Sequence, residues 1–154
     1  MSLRIGDRAP DFSAETTTGS IHFHEWLGDS WCVLFSHPKD FTPVCTTELG
    51  HMAGLKPEFD KRNCKIIGLS VDTVDDHKRW SVDIKDATGH SPNYPMIGDP
   101  KLEVAKLYEM LPEEAGDSCR IGLYSFLYGD TMRLNTLRDG DTMRLNDVET
   151  PETL

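Results

Sequence analysis

The chain has 154 residues, 38% of them hydrophobic and 27% charged, which suits one soluble domain with a sizeable core. Its formal net charge of −10 argues against nucleic acid as a partner, because a phosphate backbone selects clustered Lys and Arg. No apolar stretch approaches the roughly 18 residues that a membrane helix requires, so no membrane span is expected.

In chain order, residues 4–19 carry Gly6, Pro10 and a Thr run and read as an extended lead-in with turns. A short strand is expected at 21–24 and a turn at 28–30. The run WCVLFS, Trp31–Ser36, is apolar without interruption, the pattern of a strand buried on both faces. Residues 38–43 read as a loop. A helix is expected over 44–61, with Leu49, Met52, Ala53, Leu55 and Phe59 near helical spacing and Pro57 as its kink or end. KIIGLSV at 65–71 is a second buried strand. A helix over 74–85 takes Asp72 or Thr73 as its cap. Residues 94–97 are short and extended, and Pro100 opens a helix through 110 at a first-turn position. Residues 121–128 form a third apolar strand. Strands alternating with helices give an α/β fold with a central sheet.

The final part is unusual. GDTMRLN occurs at 129–135 and again at 140–146. Two copies do not make a solenoid, and Gly129-Asp130 reads as a hairpin turn. We expect a domain over 1–138 and a polar tail over 139–154 that adds little to the core.

The N-terminal MSLRIGDRAPDF has no hydrophobic signal region, so a cytoplasmic protein is expected. Cys32, Cys45, Cys64 and Cys119 are widely spaced and form no C-x-x-C pair. Neither a zinc knuckle nor a thioredoxin-type dithiol is indicated, and four free thiols are expected in a reducing compartment. Cys32 reads as core and Cys64 as exposed after Lys61-Arg62-Asn63. His22 and His24 alternate on a strand in the manner of metal ligands, but no third ligand is near, and a strand edge is the plainer reading. His51, His77 and His90 read as solvated, and Trp80 as core.

Cys45 stands apart from the other thiols. It follows His37, Pro38, Thr42 and Pro43 and opens a helix, where unpaired N–H groups and the helix dipole favour a thiolate. That dipole is worth about 0.3–1 kcal/mol, under one pKa unit, so further donors or a cation must add to it. The ordinary reading of such a cysteine is a small filler beneath a helix.

The string Pro38-Lys-Asp-Phe-Thr42-Pro-Val-Cys45 fits P-x-x-x-T-x-x-C and resembles the peroxiredoxin family. The fuller SHPKDFTPVCTTELG is similar to its one-Cys, peroxiredoxin 6-like branch. So are GDRAPDF, FHEWLGDSW, EFDKRNCKIIGLSVD, HKRWSVDI and YPMIGDPKLEVAKLYEML, in order to about residue 116. The resemblance implies a thioredoxin-like fold, with a central mixed sheet flanked by helices. It implies a peroxidase in which the Cys45 thiolate attacks a peroxide and becomes a sulfenic acid. Thr42 would bond the peroxide and thiolate, Pro38 would shield the sulfenic acid, and His37 would bind substrate, with Glu48 nearby. No cofactor or metal is implied. An external thiol such as glutathione would recycle the enzyme, and a homodimer is expected. Cys119 does not match a family resolving cysteine.

Beyond residue 116 the sequence departs from that family. The arginine expected three residues before Phe126 is replaced by Leu123, and Arg120 is displaced. A further helix of the family gives way to the GDTMRLN repeat, which would expose apolar surface. An alternative reading is therefore a catalytically weak remnant acting as a binding or chaperone-like protein. A weaker one is phospholipase A2-type activity at Ser30, with His24 and Asp130. GDSWC puts Cys32 where a nucleophile elbow needs Gly, so a turn with a surface hydroxyl is the plainer reading of Ser30.

Overall fold

The computed structural model describes residues 3–37, 43–111, 124–129 and 134–139. Within them the chain runs β1 (Ser13–Thr16), β2 (Gly19–His22), α1 (Phe23–Leu27), β3 (Trp31–Ser36), α2 (Pro43–Lys61), β4 (Cys64–Ser70) and α3 (Val74–Thr88). It continues through β5 (Met96–Gly98), α4 (Glu103–Leu107), β6 (Tyr124–Tyr128) and β7 (Leu134–Asp139). The described strands form one seven-stranded mixed sheet, in the order β2-β1-β5-β4-β3-β6-β7. The expected α/β architecture, thioredoxin-like with helices flanking a central sheet, is the one observed.

β3 is the central rail, because it is buried along its whole length. It pairs in parallel with β4 and antiparallel with β6. Its alternation divides the core. Trp31, Val33 and Phe35 face α2 and α3, where they pack with Leu49, Phe59 and Trp80. Cys32 and Leu34 face the other way, with Phe23, Tyr108, Phe126 and Tyr128. A backbone buried on both sides needs apolar residues at every position, which is why this strand was readable as an unbroken run. β4 repeats the alternation, with Cys64 and Ile66 on the first face and Ile67 and Leu69 on the second.

α2 covers the expected 44–61 and carries Pro57 inside it, so Pro57 does not mark its end. Proline has no N–H for the carbonyl four residues back. The side chain of Asn93 fills the gap, donating from Nδ2 to the Ala53 carbonyl at 3.2 Å. α2 and α3 approach closely, since a Cβ at Gly50 would fall 2.2 Å from Oγ1 of Thr88. α3 is capped as expected by Thr73, whose hydroxyl accepts from the Asp76 amide.

Several expectations are corrected. Residues 21–24 are not one strand: β2 ends at His22 and Phe23 starts α1. Phe23 and Leu27 are both buried four residues apart, a helical spacing that alternation concealed. The lead-in contains a hairpin, β1 with β2. α4 starts at Glu103, not at Pro100, because the Asp99 carboxylate accepts the amides of Glu103, Val104 and Ala105. Cys64 is buried rather than exposed, and His77 is fully buried rather than solvated.

β7 pairs antiparallel with β6 and ends at Asp139. Its first residue, Leu134, also clasps the N-terminal segment: the Gly6 amide donates to the Leu134 carbonyl and the Leu134 amide to the Asp7 carbonyl, both at 2.8 Å. Leu134 comes from the first GDTMRLN copy, whereas the second copy lies outside the described residues.

Candidate active site

Cys45 is the third residue of α2, so its backbone lies in the first helical turn, as expected. There the early amides lack carbonyl partners within the helix and favour a negative charge. Pro38 and Thr42, two of the expected site residues, lie outside the described residues, as do Leu123, Arg120, Cys119 and Asp130.

His37 directly follows β3 and is buried, 1% exposed. Its amide donates to the Leu69 carbonyl at 3.0 Å, which ties the strand end to β4. Its ring lies 5.1 Å from the Trp80 ring and 5.8 Å from that of His77. Nε2 of His77 donates to the Ile97 carbonyl at 2.9 Å, since a carbonyl can only accept. Nε1 of Trp80 donates to Oγ1 of Thr46 at 2.9 Å. Thr46 directly follows Cys45. The structure thus brings His37, Thr46, His77 and Trp80 together around the two ends of the 38–45 segment. Of these, sequence reasoning had singled out His37 alone for the site. The missed signal was that His77, Trp80 and Ile84 share one helical stripe and are all buried, so His77 belongs with the core side of α3.

Cys32 and Cys64, the other thiols among the described residues, are unsuited to nucleophilic work. Burial pushes the Cys64 thiol up to about 12, against a weaker opposing hydrogen bond. Burial likewise holds Cys32 well above the ordinary thiol range, with Cys64 adding to the effect. These two side chains lie on opposite faces of the sheet, Cys32 opposite Lys65 and Cys64 opposite Trp31 in the β3–β4 register. A cavity of about 280 Å³ is lined by Cys64 with Lys56, Lys65 and Asn93, but a thiol with so high a pKa offers no thiolate there near neutral pH.

The Ser30 arrangement is different from a hydrolase triad. Oγ of Ser30 donates to Oδ1 of Asn63 at 3.3 Å and is largely buried, not a surface hydroxyl. Nε2 of His24 donates to the Ala9 carbonyl at 2.7 Å, and its Nδ1 is 3.8 Å from Asp11. The serine and the histidine are each engaged with other partners. His22 bonds Oγ of Ser13 through Nδ1 at 2.6 Å, while His24 sits in α1, so the two do not alternate on a strand.

Comparison with known proteins agrees with this geometry. Residues 5–148 match the AhpC/TSA family. A Dictyostelium discoideum protein named 1-Cys peroxiredoxin is 51% identical over 128 residues, covering 83% of this chain and 53% of that protein. Peroxiredoxin-6 of Mus musculus is 54% identical over 121 residues, 75% of this chain and 54% of its own length. The chain thus spans about half the length of these curated relatives. Among solved structures, Peroxiredoxin 6 of Arenicola marina superposes with a TM-score of 0.82 at 40% identity, covering 93% of this chain and 68% of that one. A yeast mitochondrial 1-Cys peroxiredoxin, solved to explain thiol resolution via glutathione/thioredoxin systems, gives 0.82 at 43% identity, with 92% and 70% covered. With its nucleophile candidate at the start of α2 and its backbone superposing on these structures, the chain belongs to the AhpC/TSA family, on the one-Cys peroxiredoxin branch.

Proposed function

We propose that this chain is a thiol-dependent peroxidase that reduces hydrogen peroxide and organic hydroperoxides at Cys45. The observation that carries this reading is the place of Cys45 in the first turn of α2, inside an intact P-x-x-x-T-x-x-C string. The thiolate sulfur attacks the terminal peroxide oxygen, and the O–O bond breaks. The sulfur becomes a sulfenic acid, and the other oxygen leaves as water or an alcohol after taking a proton. Two equivalents of an external thiol such as glutathione then return the sulfenic acid to the thiol, releasing water and a disulfide. In this reading Thr42 bonds the peroxide and the thiolate, Pro38 shields the sulfenic acid from water, and His37 lines the substrate side.

The buried, high-pKa thiols of Cys32 and Cys64 support Cys45 as the reacting group, because they do not compete with it near neutral pH. An external reductant of the glutathione type is supported by the system described for the yeast relative. A homodimer in the cytoplasm is the assembly and location we propose; among the described residues no helix is long and apolar enough to cross a membrane.

The test is stoichiometric. Reduced protein is mixed with one equivalent of hydrogen peroxide, and sulfenic acid is trapped and located by mass spectrometry. The expected result is rapid trapping at Cys45 alone and none in Cys45→Ser. Slow oxidation spread over all thiols would instead favour the reading of a catalytically weak, binding or chaperone-like remnant.

A further inference from the structure

We propose that Trp80 is a positioning residue for Cys45, acting through its hydrogen bond to Thr46; the proposal rests on the peroxidase reading above. The segment that carries the motif has two anchored ends. One is His37, the residue after β3, and the other is the first turn of α2. Trp80 reaches both. Its ring lies 5.1 Å from the His37 ring, tilted by 47°. Its single donor, Nε1–H, is spent on Oγ1 of Thr46 at 2.9 Å.

Three features make this a stiff connection. Trp80 is fully buried, so its ring is fixed by packing on every side. It stands on α3, a helix capped by Thr73 at one end and by Gly89 at the other. One turn earlier on the same helix, Nε2 of His77 donates to the Ile97 carbonyl, which fastens α3 to β5. The connection therefore runs from the sheet through α3 to the residue beside Cys45.

The first turn of a helix needs such help. Its amides have no carbonyl partners within the helix, so the turn is held more weakly than the helix interior. A peroxide attack demands a thiolate held in line with the O–O bond, and small displacements are costly to rate. A bond to the residue following the nucleophile restrains that turn without occupying the sulfur.

The test compares Trp80→Phe, which keeps a ring beside His37 but removes the donor, with Thr46→Val, which removes the acceptor. Thr46→Ser keeps the hydroxyl. The second-order rate constant for oxidation of Cys45 by hydrogen peroxide is measured by stopped flow for each, and for the Trp80→Phe/Thr46→Val double variant. We expect each of the two single variants to be slower by about three- to tenfold, the value of one neutral hydrogen bond. The double variant should be no slower than either, and Thr46→Ser should stay within about twofold of the wild type. Wild-type rates in Trp80→Phe and Thr46→Val, or losses that multiply in the double variant, overturn the positioning role alone. If Trp80→Phe fails to fold, the contrast of Thr46→Val with Thr46→Ser decides: a similar rate for both overturns the proposal. A slow, unselective wild type overturns the peroxidase reading, and this inference with it.

Discussion

Beneath α2 and α3, the sheet face is fastened by directional bonds from buried rings. Trp80 donates to Thr46, His77 to the Ile97 carbonyl, and the Tyr94 hydroxyl to the Leu49 carbonyl at 3.1 Å. The opposite face relies on apolar area and ring contacts. Phe12 stacks on Phe23 at 4.8 Å, and Tyr108 meets Phe126 edge-on at 5.6 Å. There the Tyr108 hydroxyl reaches out to the Pro10 carbonyl at the margin of the cluster. Hydrophobic burial is strong but has no direction, whereas a hydrogen bond fixes angles. The face that carries Cys45 is built for placement, and the other for stability.

The sharpest way to break that contrast is to damage the apolar face alone. Phe126→Ala removes a buried ring from β6 and should cost about 3–5 kcal/mol in urea unfolding. The peroxide rate at Cys45 in the protein that remains folded should hold. A rate that collapsed with stability would mean that the two faces are not separable.

A smaller effect is expected on the directional face. Asn93→Ala leaves the Ala53 carbonyl without the donor that replaces the Pro57 amide. The expected cost is about 1 kcal/mol, seen as a lower urea midpoint with an unchanged slope. Pro57→Ala in the same background restores a backbone donor and should recover part of the loss.

The smallest effect near neutral pH concerns Cys64. Its folded pKa is raised to about 12, while an unfolded thiol ionises near 8.5. The folded state therefore keeps a proton that the unfolded state gives up as pH rises. Its contribution is fully present below the unfolded pKa and is lost progressively toward 12. Unfolding at pH 8 and pH 10 should show a loss of stability that Cys64→Ala reduces in part, Cys32 supplying a share of its own. Equal slopes in the two proteins would show that Cys64 is not held as its burial implies.

Much of this arrangement was legible in the sequence. Unbroken apolar runs announced β3 and β4, and a Pro-rich loop before a helical stripe announced α2 with Cys45 at its start. Thr73 was one of two caps foreseen for α3. The failures share a physical cause: each turned on a packing or side-chain partner that the local residue pattern did not display. Of the two roles foreseen for Pro57, kink or end, the end is not observed, since Asn93 satisfies the carbonyl that proline orphans. Pro100 looked like a helix start until the Asp99 carboxylate gathered three amides further on. His77 looked solvated because histidine is polar, yet the Ile97 carbonyl gives it a buried partner. Cys64 looked exposed from its charged neighbours, but the β4 alternation turns it inward with Ile66.

The clasp between Gly6, Asp7 and Leu134 sets an order of events during synthesis. Gly6 and Asp7, in the N-terminal segment, are made long before Leu134, so two of their backbone groups wait for a residue in the last described strand. Until Leu134 has been made, that segment has no fixed edge to join, and β6 has no strand on its outer side. β3, β4, α2 and α3 are all contiguous in the chain and can assemble earlier. The half of the molecule that carries Cys45 is therefore positioned to take shape on the nascent chain, while closure of the sheet at its β7 edge is postponed to a final step. A ribosome stalled before residue 134 should hold a protein whose α2–α3 face is protected from proteolysis and whose N-terminal segment is not.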